Sequence, residues 1–347
     1  MLRWSSRFGK NFSPVGLDLG TVQIKLIQFR LERGRIAVHR RGVFPLKEGV
    51  IVHGRVADGV ALRHQLRQIF AEMRLKRRDS FLCIGNDTVI VRSFTLPAMP
   101  AAEIPAAVRW EALKYHPNPA AMTTDYIVTG KKKLDGKRII ETRIISVPRE
   151  IVDGYLGAVR DAGFNPVGVE IEPLALCRAV RFFNANGKGR KLLLDIGGEK
   201  SMLVMMENGC YLYSRILKIG ARDMHAPVTD CRSATVEKVA EGGMPYGVGE
   251  EPPGSLAARV YHALEYYHYR MPERDDGKIG ELLLFGGGAV RARASFVGDE
   301  RIPSPTVFTF RKDGGLLHES GFSGGDDHLF GVAGGLALRG WVDEKGY

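Results

Sequence analysis

Two aspartates, Asp18 and Asp195, each stand near the end of an apolar run that passes at once into glycine: "FSPVGLDLGTVQIKLIQF" over residues 12–29 and "KLLLDIGGEKSMLVMMENG" over residues 191–209. Glycine lets a backbone approach a ligand without a β-carbon in the way, so the N–H groups of such turns suit phosphate oxygens. A third glycine turn, Gly286, Gly287 and Gly288, follows "ELLLF". One such turn taken alone is weak evidence, because glycine also closes ordinary hairpins. The two aspartates at equivalent points carry more. Two carboxylates facing a polyphosphate repel it unless a divalent cation stands with them, and Mg²⁺ with several waters fits that coordination, which makes Asp18 and Asp195 candidate metal ligands. Lys25, on the strand that returns after Gly20, could set its ammonium beside a phosphate; it fits equally a strand lysine whose stem packs while its head reaches water.

The elements that would position these groups form a repeat. Each copy reads strand, glycine turn, strand, turn, strand, with Gly34 sixteen residues after Asp18 and Gly209 fourteen after Asp195. The aspartates are 177 positions apart, and 347 residues exceed what one hydrophobic core usually serves, so two domains of roughly 150–200 residues are expected, with a pseudo-twofold turning both carboxylates to one cleft. Helical spacing of Leu66, Ile69, Phe70 and Met73 predicts a helix in "RHQLRQIFAEMRL", and "FLCIGNDTVIVRSF" reads as strand, turn, strand. A helix through "AAVRWEALKYH" would carry Trp110 and Leu113 on its apolar stripe. Lys131, Lys132 and Lys133 flank an Asp-Gly turn and read as a solvated hairpin tip or a basic face toward anionic lipid. A helix over about 149–162 closed by Gly163 follows, then the strand "VGVEI". The expected organisation is a first domain over 12–95, an inserted α+β unit over 96–165, the first domain resumed with a connecting helix over 166–190, a second domain over 191–325 whose smaller part is 221–280, and a closing helix over 326–340.

Several function classes are disfavoured. The formal charge is +11, but the basic residues are spread along the chain without a zinc-finger, helix-turn-helix or aromatic RNA-binding signature, so nucleic acid is not the expected partner. No run approaches the ~20 apolar residues of a membrane span, and no apolar signal segment follows Met1. The four cysteines lie far apart, which suits reduced thiols in the cytoplasm. The nine histidines show no metal spacing, and the Walker, complete dinucleotide, zincin and nucleophile-elbow motifs are missing. Leu2, Trp4 and Phe8 alternate with Arg3, Arg7 and Lys10 near the N-terminus, which fits either a disordered tail or weak contact with an anionic membrane.

Taken together, the strand with Asp18, Gly20, Thr21 and Lys25 resembles the first phosphate motif of the actin-like ATPase superfamily, "LLLDIGGEKSMLV" its second, and "LLLFGGGAVRARA" its adenosine motif. "IEPLALCRAV" resembles the connecting helix and "FGVAGGLALRG" the closing one. Within that superfamily, "LPAMPAAEIPAAVRWEALKYHPNP", "EPLALCRA" and "ALEYYHYR" are similar to the PilM family of type IV pilus assembly proteins, relatives of FtsA. The resemblance implies an α/β, actin-like (ribonuclease H-like) two-domain ATPase fold. It implies ATP with Mg²⁺ held by Asp18, Gly20, Thr21, Lys25, Asp195, Gly197 and Gly198, and adenosine bedded on Gly286, Gly287 and Gly288. It also implies a cytoplasmic platform protein at the inner membrane that docks the N-terminal tail of a PilN-type membrane protein near the inserted unit, alongside other pilus assembly proteins. Glu172 stands where the connecting-helix acid of heat-shock chaperone ATPases positions a hydrolytic water; as a residue it also suits a helix cap. Hydrolysis is expected to be slow at most. The chain departs from the family at Val22 and Gln23, where serines are usual, at Ala221, where a glycine is usual, and around "TVEKVAEGG". A component of type II secretion and a small-molecule kinase on the same fold are the alternatives, the kinase needing a carboxylate base beside an acceptor hydroxyl. An FtsA-like filament protein would be expected to carry a C-terminal amphipathic helix, unlike "GWVDEKGY".

Overall fold

The computed structural model describes residues 11–32, 35–85, 89–115, 118–134, 136–184, 188–225, 255–270, 278–296, 302–310 and 324–341. The N-terminal aromatic and basic residues and "TVEKVAEGG" therefore lie outside the described residues. The chain falls into two units, Met1–Ala175 with Val332–Tyr347, and Leu176–Gly331.

In the first unit the elements run β1 (Val15–Leu19), β2 (Gln23–Glu32), β3 (Arg35–Pro45), β4 (Ile51–Val52), β5 (Arg55–Val56), α1 (Gly59–Met73), β6 (Asp79–Ile84), β7 (Ile90–Pro97), α2 (Ile104–Leu113), β8 (Met122–Leu134), β9 (Lys137–Pro148), α3 (Arg149–Asp161), β10 (Asn165–Ile171) and the start of α4 (Glu172–Phe183). The main sheet has the order β10-β6-β1-β2-β3, with β1, β6 and β10 parallel and β2 antiparallel to both its neighbours. The burial of every residue of β1, and of all but the first of β6, marks strands covered on both faces. On one face lie α1 and α3. Asp58 caps α1 by accepting the Ala61 N–H at 2.9 Å, and Leu62, Leu66, Ile69 and Met73 turn inward at helical spacing. From α3, Ile151, Val152, Tyr155, Ala158 and Val159 enter the same core as β1 and β6, so by packing this helix belongs to the main sheet rather than to an inserted unit. Gly163, at φ +103°, ends it.

Residues 79–97 form two strands as expected, but in different sheets. β6 is buried between β1 and β10, whereas the alternately exposed β7 pairs with β9 in a separate antiparallel sheet of order β7-β9-β8. The reason is β7's composition: Arg92, Ser93 and Thr95 cannot fill an interior strand. α2 lies on this three-stranded sheet through Ile104, Val108 and Ala112, against Leu96, Ile140 and Ile144. Trp110 and Leu113, assigned from the sequence to the packed stripe, point to solvent instead, because the stripe 104/108/112 leaves them on the opposite side.

The second unit continues α4 and adds β11 (Arg190–Ile196), β12 (Ser201–Glu207), β13 (Cys210–Leu217), α5 (Leu256–Arg270), β14 (Ile279–Phe285), α6 (Ala289–Ala292) and β15 (Pro305–Val307). Its sheet order is β13-β12-β11-β14-β15, with β11, β14 and β15 parallel and β12 antiparallel to β11 and β13. Strand for strand this is the topology of the first unit, with β11, β12, β13, β14 and β15 in the places of β1, β2, β3, β6 and β10. The repeat expected from the sequence is real at the level of sheet order. α5 covers one face with Leu256, Val260, Ala263, Leu264 and Tyr267. The closing helix α7 (Gly331–Leu338) returns almost wholly to the first unit. A β-carbon on Gly16 would lie 1.8 Å from the Ala333 carbonyl oxygen, and one on Gly335 1.9 Å from that of Ala175, so small residues are what let α7 lie against β1 and the start of α4.

Candidate functional site

In the first unit, Asp18 sits opposite Lys25 across the β1–β2 ladder. Both are buried, with relative exposures of 5% and 7%, and Lys25 Nζ donates to Asp18 Oδ2 at 3.0 Å. The lysine head is thus inside the protein against a carboxylate and does not snorkel. Behind the aspartate, Cys83 at the end of β6 places Sγ 3.9 Å from Oδ1. Glu172 opens α4, and its carboxylate lies over Gly85: a β-carbon there would meet its Cδ at 1.9 Å. One potential ligand atom each from Asp18, Cys83 and Glu172 lies within 4.8 Å of the others. Below them Tyr155 donates to the Gly54 carbonyl at 3.3 Å. Burial first, then the neighbouring Cys83, Glu172 and Asp18, push its phenol well above the ordinary tyrosine range, so it stays protonated.

The turn after β1 is closed by the Gly20 N–H donating to Gln23 O at 3.2 Å. The half-buried N–H groups of Thr21 and Val22 meet no acceptor among the described residues. Val22 lacks a hydroxyl but still offers its backbone donor.

In the second unit, Asp195 occupies the matching place in β11, but its ladder neighbours are Met202 in β12 and Phe285 in β14. Its carboxylate lies against Gly286, whose φ is +81° and whose β-carbon would fall 2.3 Å from Oδ1. Within this unit the two glycine turns and the segment at Ala221 are joined by backbone hydrogen bonds. The Gly286 N–H donates to His328 O at 2.9 Å, Gly288 N–H to Ile196 O at 3.1 Å, Gly197 N–H to Lys200 O at 3.0 Å, and Ala221 N–H to Gly197 O at 2.8 Å. Gly198 and Gly287 keep N–H groups with no acceptor among the described residues. Arg291, one turn beyond Gly287, donates to the Ala221 carbonyl at 3.2 Å.

Within its own unit, each set of sequence-predicted residues is thus gathered: Asp18, Gly20, Thr21, Lys25 and Glu172 in one, Asp195, Gly197, Gly198, Gly286, Gly287 and Gly288 in the other. Among the described residues Asp195 joins no cluster of three ligand-bearing groups, whereas Asp18 does so with Glu172 and Cys83. Cys83, Gly85 and Tyr155 were missed by reading the sequence. Gly85 carried a signal, a glycine directly after a buried strand; Cys83 and Tyr155 carried none, being ordinary apolar-run and helix residues. A hard cation such as Mg²⁺ fits the carboxylates of Asp18 and Glu172 and would leave the soft sulfur of Cys83 uncoordinated.

A family model described as Type IV pilus assembly protein PilM matches residues 16–293. The chain belongs to the PilM family. A chain of the solved "PilM-PilN type IV pilus biogenesis complex" is 23% identical, covers 94% of this chain with 98% of its own length, and superposes with a TM-score of 0.70. More distant likenesses include the ethanolamine utilization protein EutJ of Carboxydothermus hydrogenoformans, at 14% identity, 96% and 92% coverage and a TM-score of 0.47. The cytoplasmic domain of EpsL, an inner-membrane component of the type II secretion system of Vibrio cholerae, follows at 10% identity, 93% and 94% coverage and a TM-score of 0.46. The fold of this PilM-family chain is actin-like, with one ribonuclease H-like sheet in each unit. Among the described residues no helix is long and apolar enough to cross a membrane.

Proposed function

We propose that this PilM-family chain is an ATP-binding scaffold of type IV pilus assembly, working in the cytoplasm at the inner membrane, where it docks the short cytoplasmic tail of a PilN-type membrane protein. The observation that carries the nucleotide reading is the repeat of one arrangement in both units, a strand-end aspartate beside a glycine turn that keeps unpartnered N–H groups. Those of Thr21 and Val22 in the first unit, and of Gly198 and Gly287 in the second, are donors for phosphate oxygens. Mg²⁺, held through Asp18 and Glu172, would supply positive charge to a bound polyphosphate. Lys25 fixes the Asp18 carboxylate and offsets its charge. Glu172, whose carboxylate fills the space left by the missing side chain of Gly85, is the acceptor that could orient a water.

The three-stranded layer supports the partner reading. β7 and β8 are its edges, and an extended tail can add to such an edge through its main chain while its side chains enter neighbouring apolar pockets. Nucleotide then acts by biasing which conformation the tail finds, rather than by feeding a reaction. The test is fluorescence anisotropy of a labelled tail peptide from the product of a neighbouring pilus gene, titrated with the full chain in the presence and absence of Mg-ATP, beside calorimetry of Mg-ATP alone. Micromolar peptide affinity that changes with nucleotide is expected. No heat and no thermal shift at millimolar Mg-ATP would overturn the nucleotide reading, and no peptide binding in either condition would overturn the docking reading.

A further inference from the structure

α2 carries two stripes. Ile104, Val108 and Ala112 are buried on the three-stranded sheet, while Ala106, Trp110 and Leu113 form an exposed apolar stripe at the same helical spacing, with Trp110 70% and Leu113 48% exposed. A tryptophan left in water by a helix that already has its core face is unusual enough to ask what covers it. The β8–β9 ladder supplies the answer in charge. Ile144, Thr142 and Ile140 alternate toward α2, and their continuation along the same face is Arg138, with Lys131 opposite Ile140 and Lys133 opposite Arg138. Lys132 and Glu141 point to the other face, where they form an ion pair at 2.8 Å. Lys131, Lys133 and Arg138, together with Arg109 on the outer side of α2, are exposed and make no ion pair among the described residues. The Ala98 N–H donates to the Arg138 carbonyl at 3.0 Å, which brings the start of the α2 segment to this basic end of the sheet.

We propose that this face, the outer stripe of α2 with the cationic tip of β8–β9, is a docking surface for an anionic lipid bilayer. Tryptophan and leucine suit the interfacial depth, where one side is apolar and the other wet, and four exposed cations beside them, without an ion pair among the described residues, match anionic headgroups. A second copy of this chain is a poorer occupant, because a two-fold contact would set the same four cations against themselves. The inference goes beyond the docking of a membrane protein's tail. It supplies a second, weak attachment that would orient a chain already tethered by that tail, and two weak attachments to one surface reinforce each other.

The experiment uses the full chain alone, without any tail peptide, so that its result is independent of the partner reading. Cosedimentation is measured with vesicles of phosphatidylcholine containing phosphatidylglycerol and with phosphatidylcholine vesicles, over a range of salt. All measurements are made in a Trp4→Phe background, so that Trp110 is reported by the tryptophan emission that Trp110→Phe removes, while Trp341, fully buried, serves as an internal reference. Binding is expected only to the anionic vesicles, with a blue shift of the Trp110 emission and release as salt is raised. The triple substitution Lys131→Gln, Lys133→Gln, Arg138→Gln should weaken partitioning on the order of 100-fold, since each basic group near such a surface contributes roughly five-fold, with no change in melting temperature. Trp110→Ala with Leu113→Ser should weaken it independently while keeping the fold. No vesicle binding would overturn the proposal, as would binding equal in all variants. Concentration-dependent self-association that is abolished by Trp110→Ala would overturn it in favour of a protein interface.

Discussion

Asp18→Asn separates the electrostatic role of the aspartate from its shape. The substitution keeps the side chain's outline and removes the charge that faces Lys25 at 3.0 Å, where both groups are more than nine-tenths buried. Breaking one side of a buried ion pair costs about 3–5 kcal/mol, because the remaining charge has lost its main compensation in a poorly solvating place. Lys25→Met should cost a similar amount, for then the Asp18 carboxylate faces that of Glu172 within the same cluster without the ammonium. Replacing both, Asp18→Asn with Lys25→Met, removes both charges at similar volume and should restore most of the loss, giving a strongly non-additive cycle. For a unit of this size about 1 kcal/mol corresponds to roughly 2–4 °C, so each single substitution should lower the melting transition of the first unit by roughly 6–20 °C and the pair by only a few degrees. Scanning calorimetry measures this directly. A ligand at 100 times its dissociation constant adds about 2.7 kcal/mol, so saturating Mg-ATP should raise the same transition in the wild type and fail to do so in Asp18→Asn. If both single variants melted within about a degree of the wild type, the pair would not be buried in solution, and the account of Lys25 as the partner of Asp18 rather than of water would be wrong.

Two further outcomes follow from named contacts. Gly85→Ala would place a methyl where the Glu172 carboxylate now lies, so the glutamate must swing away; weaker Mg²⁺-dependent nucleotide binding, read by calorimetry with and without the metal, is expected with little loss of stability, and unchanged metal dependence would remove Glu172 from the site. Burial, moderated by Arg215, pushes Tyr213 up to about 12, and Tyr155 is raised further still, first by burial. A folded pKa above the unfolded value of roughly 10 means that the stability these phenols contribute is complete below that pH and is lost as pH rises through the folded values. Melting temperature should therefore fall from about pH 10 upward, and two tyrosines should ionise only as the protein unfolds. Ordinary titration of every tyrosine near pH 10 in the folded state would contradict this.

The repeat was legible because β-strand burial writes itself into composition: VGLDL and LLLDI are apolar but for one aspartate, which stands one residue before the strand end in both and is followed two positions later by a glycine. Which strand joins which sheet was less legible. β6 and β7 are separated by only a few residues and read as a hairpin, and only the polar side chains of β7 argued that it could not share a doubly covered sheet. Helix faces were legible where one stripe was apolar, as in α1, and misled where both were, as in α2. The approach of Glu172 to Gly85, and of α7 to Gly16 and Gly335, depends on atoms brought together from distant parts of the chain, and no local pattern encodes it.

The repeat is also where the sequence says more than its symmetry. In β1 and β2 the ladder sets Asp18 against Lys25; the same rung of β11 and β12 sets Asp195 against Met202, and the parallel neighbour in β14 is Phe285. One copy thus carries a buried charge pair, and the other an aspartate beside a thioether and an aromatic ring, with its carboxylate resting on a glycine that no other residue could replace at φ +81° without strain. A carboxylate already matched by an ammonium is held in one orientation whether or not a ligand is present. The two units therefore share a topology and an aspartate but not its cross-strand neighbour, a lysine in the first and a methionine in the second.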